Sequence, residues 1–240
     1  MFLWRDEVRP GVSVAFTDTD AGNLALHVGD NPEDVHLRRS QLEQAAGLGP
    51  QRFQFMDQVH GNHVEFVATH GAGPTADAMV SEAVLPNGMP QPLAVMVADC
   101  VPVVLVGVDS KDRPVIAVAH AGRPGVASGV VPSTITEMRN RGAMDIRAWV
   151  GPSICGSCYE VPDHLRSEVA EVVPATWSTT SWGTPSLNLP AGVRAQLDQS
   201  GVAVEYLGEC TLESDSLFSY RRDSRTGRFA GLVWTHDQQR

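Results

Sequence analysis

Three short runs in the middle of the chain, residues 93–98 (LAVMVA), 101–106 (VPVVLV) and 115–119 (VIAVA), are apolar at successive positions instead of alternate ones. Side chains of a strand point alternately to its two faces, so such a run is stable only where both faces are covered. The middle of the chain therefore has to supply interior strands of a layered structure.

Further strands are expected over 11–16, 24–28, 64–68, 78–80, 147–150, 202–207 and 229–234, from apolar and β-branched content at strand length. Helices are expected over 32–48, 132–141, 162–173 and 190–199. Each begins with proline, whose missing N–H is no loss in a first helical turn, and Asn31 can cap the first of them. Strands and helices mix without a strict βαβ rhythm, and neither GxGxxG nor GxxxxGK[ST] occurs. The pattern predicts an α+β fold with mixed or antiparallel sheets, not a Rossmann fold.

The 240 residues suffice for a substantial core, and 42% hydrophobic against 19% charged residues excludes wholesale disorder. With no repeat, low-complexity tract or long linker, one domain spanning 1–240 is expected. The net charge of −10 opposes binding to nucleic acid or anionic membranes. Residues 1–16 lack the basic start and apolar run of a signal peptide, and no stretch approaches the roughly 20 apolar residues of a membrane helix. A cytoplasmic location, partners of small-molecule size and a monomeric state are the resulting expectations. In a reducing compartment Cys100, Cys155, Cys158 and Cys210 are buried residues, ligands or nucleophiles before they are disulfide partners.

Three places interrupt the apolar pattern with chemistry. Gln58-Val59-His60-Gly61 sets a histidine beside glycine before a strand. Ala98-Asp99-Cys100-Val101-Pro102 puts a carboxylate and a thiol into a buried run, which costs free energy unless they are paired or ligated. Ala117-Val118-Ala119-His120-Ala121-Gly122 ends a strand in histidine before a small-residue turn. Each has a bland alternative: a surface histidine, or an inert buried cysteine beside a capping aspartate. Together, two imidazoles and one thiolate suit Zn²⁺ with a coordination position left open. Sequence separation leaves their convergence undecided.

The segments LHVGDNPEDV (26–35), QVHGNHV (58–64), DAMVS (77–81), ADCVPVVL (98–105), AVAHAG (117–122), WVGPSICGSCYEV (149–161) and FSYRRDSRTGRFAGLVW (218–234) resemble, in order, the YfiH family. Its proteins are also called laccase-domain or multicopper polyphenol oxidase proteins and peptidoglycan editing factor. The resemblance implies an α/β/β/α layered fold of central sheets flanked by helices, of the type shared with a toxin deamidase. It implies zinc on His60, Cys100 and His120. It also implies phosphorolysis of adenosine, inosine, guanosine and methylthioadenosine, and deamination of adenosine, with nucleoside and phosphate as partners.

Two departures bear on substrate binding. The family's Ala-Gly-Trp-Arg-Gly reads Ala121-Gly122-Arg123-Pro124-Gly125 here, and its Ser-Thr-Arg triplet has no arginine in Thr17–Gly22. Arg123, with Arg221 and Arg222 of Ser219-Tyr220-Arg221-Arg222-Asp223, is therefore a candidate grip on phosphate or substrate, although Arg221 and Arg222 also fit a surface ion-pair cluster. Asp99 is a candidate catalytic or orienting group. Cys155-Gly156-Ser157-Cys158 fits a redox pair or half of a zinc site, but with no second CxxC it reads best as a cysteine-bearing turn.

Four functions remain open on the sequence: the zinc nucleoside enzyme, a copper-dependent phenol oxidase, a Cys100–His120 amide hydrolase acting on a peptidoglycan precursor, and a metal-stabilised binding domain. Copper oxidation is disfavoured because the eight histidines include no His-x-His pair.

Overall fold

The computed structural model describes residues 1–83 and 88–236. Strands β1 (Phe2–Arg9) and β2 (Val12–Thr17) form an antiparallel hairpin that turns at Gly11, φ 73°. Helix α1 (Pro32–Ala46) follows, then β3 (Val64–Phe66), β4 (Ala78–Glu82), β5 (Leu93–Val97), β6 (Val101–Val108) and β7 (Pro114–Ala121). Helices α2 (Arg123–Ser128) and α3 (Val130–Asn140) lead into β8 (Met144–Val150). The remainder is α4 (Asp163–Val172), β9 (Trp177–Thr179), β10 (Pro185–Leu187), α5 (Leu189–Gln199), β11 (Ala203–Tyr206) and β12 (Phe229–Thr235).

Two main sheets result. One has four strands in the order β1-β2-β12-β5, the other six in the order β11-β8-β6-β7-β4-β3. The first is antiparallel throughout; the second is mixed, with parallel pairs at both edges. They pack face to face, with Val14, Phe16 and Val95 of one against Val104, Ile116 and Trp149 of the other. The outer face of the six-stranded sheet, including Val103 and Leu105, is covered by α3 and α5 through Ile135, Met138, Val193 and Leu197. The outer face of the four-stranded sheet is covered by α1, whose Leu42 and Ala46 join Ala94, Leu232 and Trp234. This is the expected α+β architecture in α/β/β/α layers. It explains the continuous apolar runs: Val103 and Leu105 enter one core while Val104 and Val106 enter the other. Each such fully buried side chain stabilises the fold by roughly 1.5–3 kcal/mol.

The structure corrects several local expectations. Residues 24–28 form no strand. Asn23 bonds Ala25 through both its amide groups, Leu24 N–H donates to Arg228 O, and Arg39 donates to Leu24 O, so these partners satisfy the backbone of Leu24 and Ala25 without a ladder, while Leu26 and His27 are exposed. The turn expected after His120 is the short helix α2, with Pro124 in its first turn. Strand β1 escaped prediction because the exposed charges of Arg5, Asp6 and Glu7 break any apolar alternation along this half-buried edge. Among the described residues no helix is long and apolar enough to cross a membrane.

Candidate metal centre and active-site cavity

Strand register brings the interrupted segments together. Strand β7 lies between β6 and β4, with Pro102 opposite His120 and Ala78 opposite Ala119. Cys100, just before β6, and Asp77, just before β4, thus flank the end of β7. His60 arrives on the loop before β3. The ligating atoms of His60, Cys100 and His120 all lie within 4.8 Å of one another. Cys100 Sγ is 3.8 Å from His60 Nε2, and the two imidazoles meet edge to face with centroids 4.7 Å apart.

The backbone is bent to achieve this. His60 has φ 63° and Asp99 has φ 91°, both in the left-handed region that non-glycine residues rarely occupy. Such conformations cost about 1–3 kcal/mol each and persist only where surrounding structure enforces them. Gly122 passes directly beneath the cluster. A Cβ there would lie 2.7 Å from His60 Cδ2 and 3.2 Å from Cys100 Sγ, so the close approach requires glycine.

Asp77, which the sequence did not single out as a site residue, organises the site. It is fully buried, and its carboxylate accepts hydrogen bonds from His120 Nδ1 at 2.8 Å, His60 N at 2.9 Å and Gly61 N at 2.6 Å. Burial alone would raise its pKa, but the His120 and backbone hydrogen bonds together hold it below the usual carboxylate value. The bond to His120 assigns that proton to Nδ1 and leaves Nε2 for a ligand, the arrangement of a metal-binding histidine oriented by a carboxylate.

Burial opposes ionisation of the Cys100 thiol, yet the charge on His120 and hydrogen bonds from both histidines outweigh it and bring the thiol to about 6. Burial likewise opposes charge on His120, while the Cys100 thiolate and Asp77 push it up to about 9. The protein alone thus favours a thiolate beside an imidazolium. Two imidazoles and a thiolate within this span fit Zn²⁺ as donor chemistry, with three protein ligands and room for a fourth.

The cluster opens into a cavity of about 520 Å³. Three arginines line it: Arg123 at the start of α2, Arg221 and Arg228. Arg221 lies over the Tyr159 ring, 4.6 Å from its centroid, and donates to Glu160 O. Arg228 escaped the sequence reading because one arginine near a late strand carries no local signal. A second cleft of about 510 Å³ adjoins the first and shares His27 and Met96 with it.

Two other site expectations find different surroundings. Asp99 lines the cavity, but its carboxylate accepts from Thr211 Oγ1 at 2.6 Å and Arg221 N at 2.7 Å, tying two wall segments together. Arg222 is not among the cavity-lining residues. Its guanidinium donates to the carbonyls of Thr211, Leu212, Ser214 and Leu217, bracing a loop instead of facing a substrate.

A layered α+β protein with a His-His-Cys cluster over an arginine-lined cavity is the class that fold and site define. Residues 7–236 match the family described as multi-copper polyphenol oxidoreductase laccase, and the chain belongs to that family. It is 44% identical to a purine nucleoside phosphorylase of Streptomyces griseus, over 92% of this chain and 93% of that protein. It is 41% identical to a purine nucleoside phosphorylase of Mycobacterium bovis, over 90% of this chain and 85% of that one. Its fold is similar to that of YlmD from Geobacillus stearothermophilus, with TM-score 0.82 and 27% identity over 99% of this chain and 100% of that one. A Neisseria meningitidis protein aligns with TM-score 0.81 and 32% identity over 98% and 99% of the two chains.

Proposed function

We propose that the protein is a zinc-dependent purine nucleoside enzyme that cleaves adenosine, inosine, guanosine and methylthioadenosine by phosphorolysis and also deaminates adenosine. The observation that carries this is the meeting of two features in one cavity: the His60, Cys100 and His120 donor set, and the guanidinium groups of Arg123, Arg221 and Arg228. In a chain of net charge −10, three arginines around one cavity mark a place for an anion. Guanidinium groups bind phosphate through paired, charge-assisted hydrogen bonds. The similarity to proteins named purine nucleoside phosphorylase supports the same conclusion. The cavity lies within the roughly 300–1,000 Å³ usual for small-molecule sites.

Zinc on His60, Cys100 and His120 would supply a Lewis acid with an open coordination position. The chain's own groups do the rest. Arg123, Arg221 and Arg228 hold phosphate and neutralise its charge near the ribose, where positioning and charge stabilisation lower the barrier. Tyr159 and Tyr220 offer aromatic faces for the base. Asp77 keeps His120 in one tautomer, and Asp99 acts as a positioning residue for Thr211 and Arg221. In this reading residues 1–240 are one catalytic domain, working as a cytoplasmic monomer on small molecules. Copper oxidation is less well served, because neither candidate metal cluster among the described residues holds more than two histidines.

The test is release of free base from each nucleoside with and without phosphate. Phosphate-dependent release supports phosphorolysis; none with any of the four nucleosides defeats it. The Cys100–His120–Asp77 chain of contacts also favours a second reading, nucleophilic attack by Cys100 on an amide. Metal content separates the two, since a ligated thiolate is shielded from alkylation and a nucleophile is not.

A further inference from the structure

The CxxC turn acquires a third thiol in the folded chain. Cys155 and Cys158 sit on the loop after β8, and Cys210 comes from the loop after β11, far along the sequence from Cys158. Their Sγ atoms and a Glu213 carboxylate oxygen all lie within 4.8 Å of one another. All three cysteines are free thiols. Thiolates bound to zinc at ~2.3 Å in a tetrahedron sit roughly 3.8 Å apart, so a contraction of at most about 1 Å separates these atoms from a coordination shell.

Two independent observations accompany the cluster. The Cys155 backbone N–H donates to Cys210 Sγ at 3.4 Å, a donor that offsets the negative charge of a thiolate ligand. Glu213 is exposed and makes no ion pair among the described residues, so its carboxylate is free to turn toward the three thiols it stands against. A carboxylate set beside three thiols is repelled when they ionise, and a divalent cation reverses that repulsion.

The geometry points to a second metal site: Cys155, Cys158, Cys210 and Glu213 take Zn²⁺ as a closed, four-coordinate structural centre. The soft set of three thiolates selects zinc over hard cations, and the fourth ligand leaves no open position for chemistry. Its place in the fold explains its use. Ser153 pairs with Cys210 as an isolated bridge, Ile154 N–H donates to Asp99 O, and Thr211 Oγ1 donates to Asp99 Oδ1. Metal here would staple the two loops that carry Tyr159 and Thr211, and so hold the cavity wall from behind. Arg222 braces the same loop through the carbonyls of Thr211 and Leu212.

Zinc per chain, counted by elemental mass spectrometry on protein purified without chelator, tests this independently of any turnover. Wild type is expected to hold two zinc ions, and both Cys155→Ser/Cys210→Ser and His60→Ala/Cys100→Ala to hold one. Equal zinc in wild type and Cys155→Ser/Cys210→Ser overturns the proposal. Should that variant fail to fold, the cobalt-substituted His60→Ala/Cys100→Ala protein decides, because its Cys155 cluster is untouched. It is expected to keep a thiolate-to-cobalt charge-transfer band, and absence of the band overturns the site. Loss of two thiols per chain in a titration of denatured, non-reduced protein would show a disulfide and overturn it as well.

Discussion

Asp77 Oδ1 lies 2.8 Å from His120 Nδ1 while the same carboxylate receives the backbone N–H groups of His60 and Gly61, so one buried side chain fixes both imidazole-bearing segments. Asp77→Asn keeps the size but replaces an acceptor oxygen with a donor that faces N–H groups. Metal affinity is expected to fall about 10–100-fold, the range seen when an outer-shell partner of a ligand is lost. Competition with a coloured chelator measures it, and a folded variant with wild-type affinity would rule out this role.

Gly122→Ala probes the space under the cluster. The added methyl would meet His60 Cδ2 at 2.7 Å and Cys100 Sγ at 3.2 Å. His60 is exposed and can swing away, so the fold should survive while the ligand geometry does not. The expected result is a loss of roughly tenfold or more in metal affinity, comparable to disturbing a ligand's support. Unchanged affinity with an intact fold would show that His60 does not need its present position.

In metal-free protein the Cys100 thiol ionises at about 6. A thiol is neutral below its pKa and a nucleophilic thiolate above it, so alkylation should rise as pH increases through about 6, not through the ordinary value of 9.0. His120, held protonated up to about 9, maintains the ion pair across that interval. Mass spectrometry of the Cys100 peptide after brief iodoacetamide treatment gives the profile. Added zinc should suppress labelling of Cys100, whereas persistent labelling of zinc-loaded protein would favour the nucleophile reading.

How far the sequence reaches is clearest at these same residues. Cys100 and His120 were legible because each interrupts an apolar run, which buried strands do not tolerate without cause, whereas His60, beside Gly61 in a polar stretch, was a weak signal until joined to them by the family resemblance. The layered fold was legible for the related reason that residues 101–106 are apolar on both faces. Asp77 was not, since an aspartate before a strand looks like any turn residue until the β4–β7 register places it against His120. Cys210 could not be joined to the CxxC for the same reason: a contact across two loops leaves no spacing to read. Residues 24–28 misled because only Leu24 and Ala25 of this apolar stretch are buried, with their backbone satisfied locally, while Leu26 and His27 face solvent.

Arg228→Ala separates phosphate binding from chemistry. Arg228 lines the cavity from the loop before β12, and its NH1 is anchored by Thr226 O and Gly227 O. Loss of a charge-assisted hydrogen bond, about 1.5–3 kcal/mol, should raise KM for phosphate about 10–150-fold. Deamination of adenosine, which needs no phosphate, should change much less. Equal loss of both activities would assign Arg228 to the base or the ribose instead.

The most direct measurement is chromatographic analysis of products from adenosine, phosphate and zinc-loaded protein, beside Cys100→Ala that has been shown to be folded. Adenine with ribose phosphate, together with inosine, is expected from wild type, and neither set from Cys100→Ala. Conversion undiminished in Cys100→Ala, or none by wild type with metal bound, would contradict the placing of purine nucleoside chemistry at His60, Cys100 and His120.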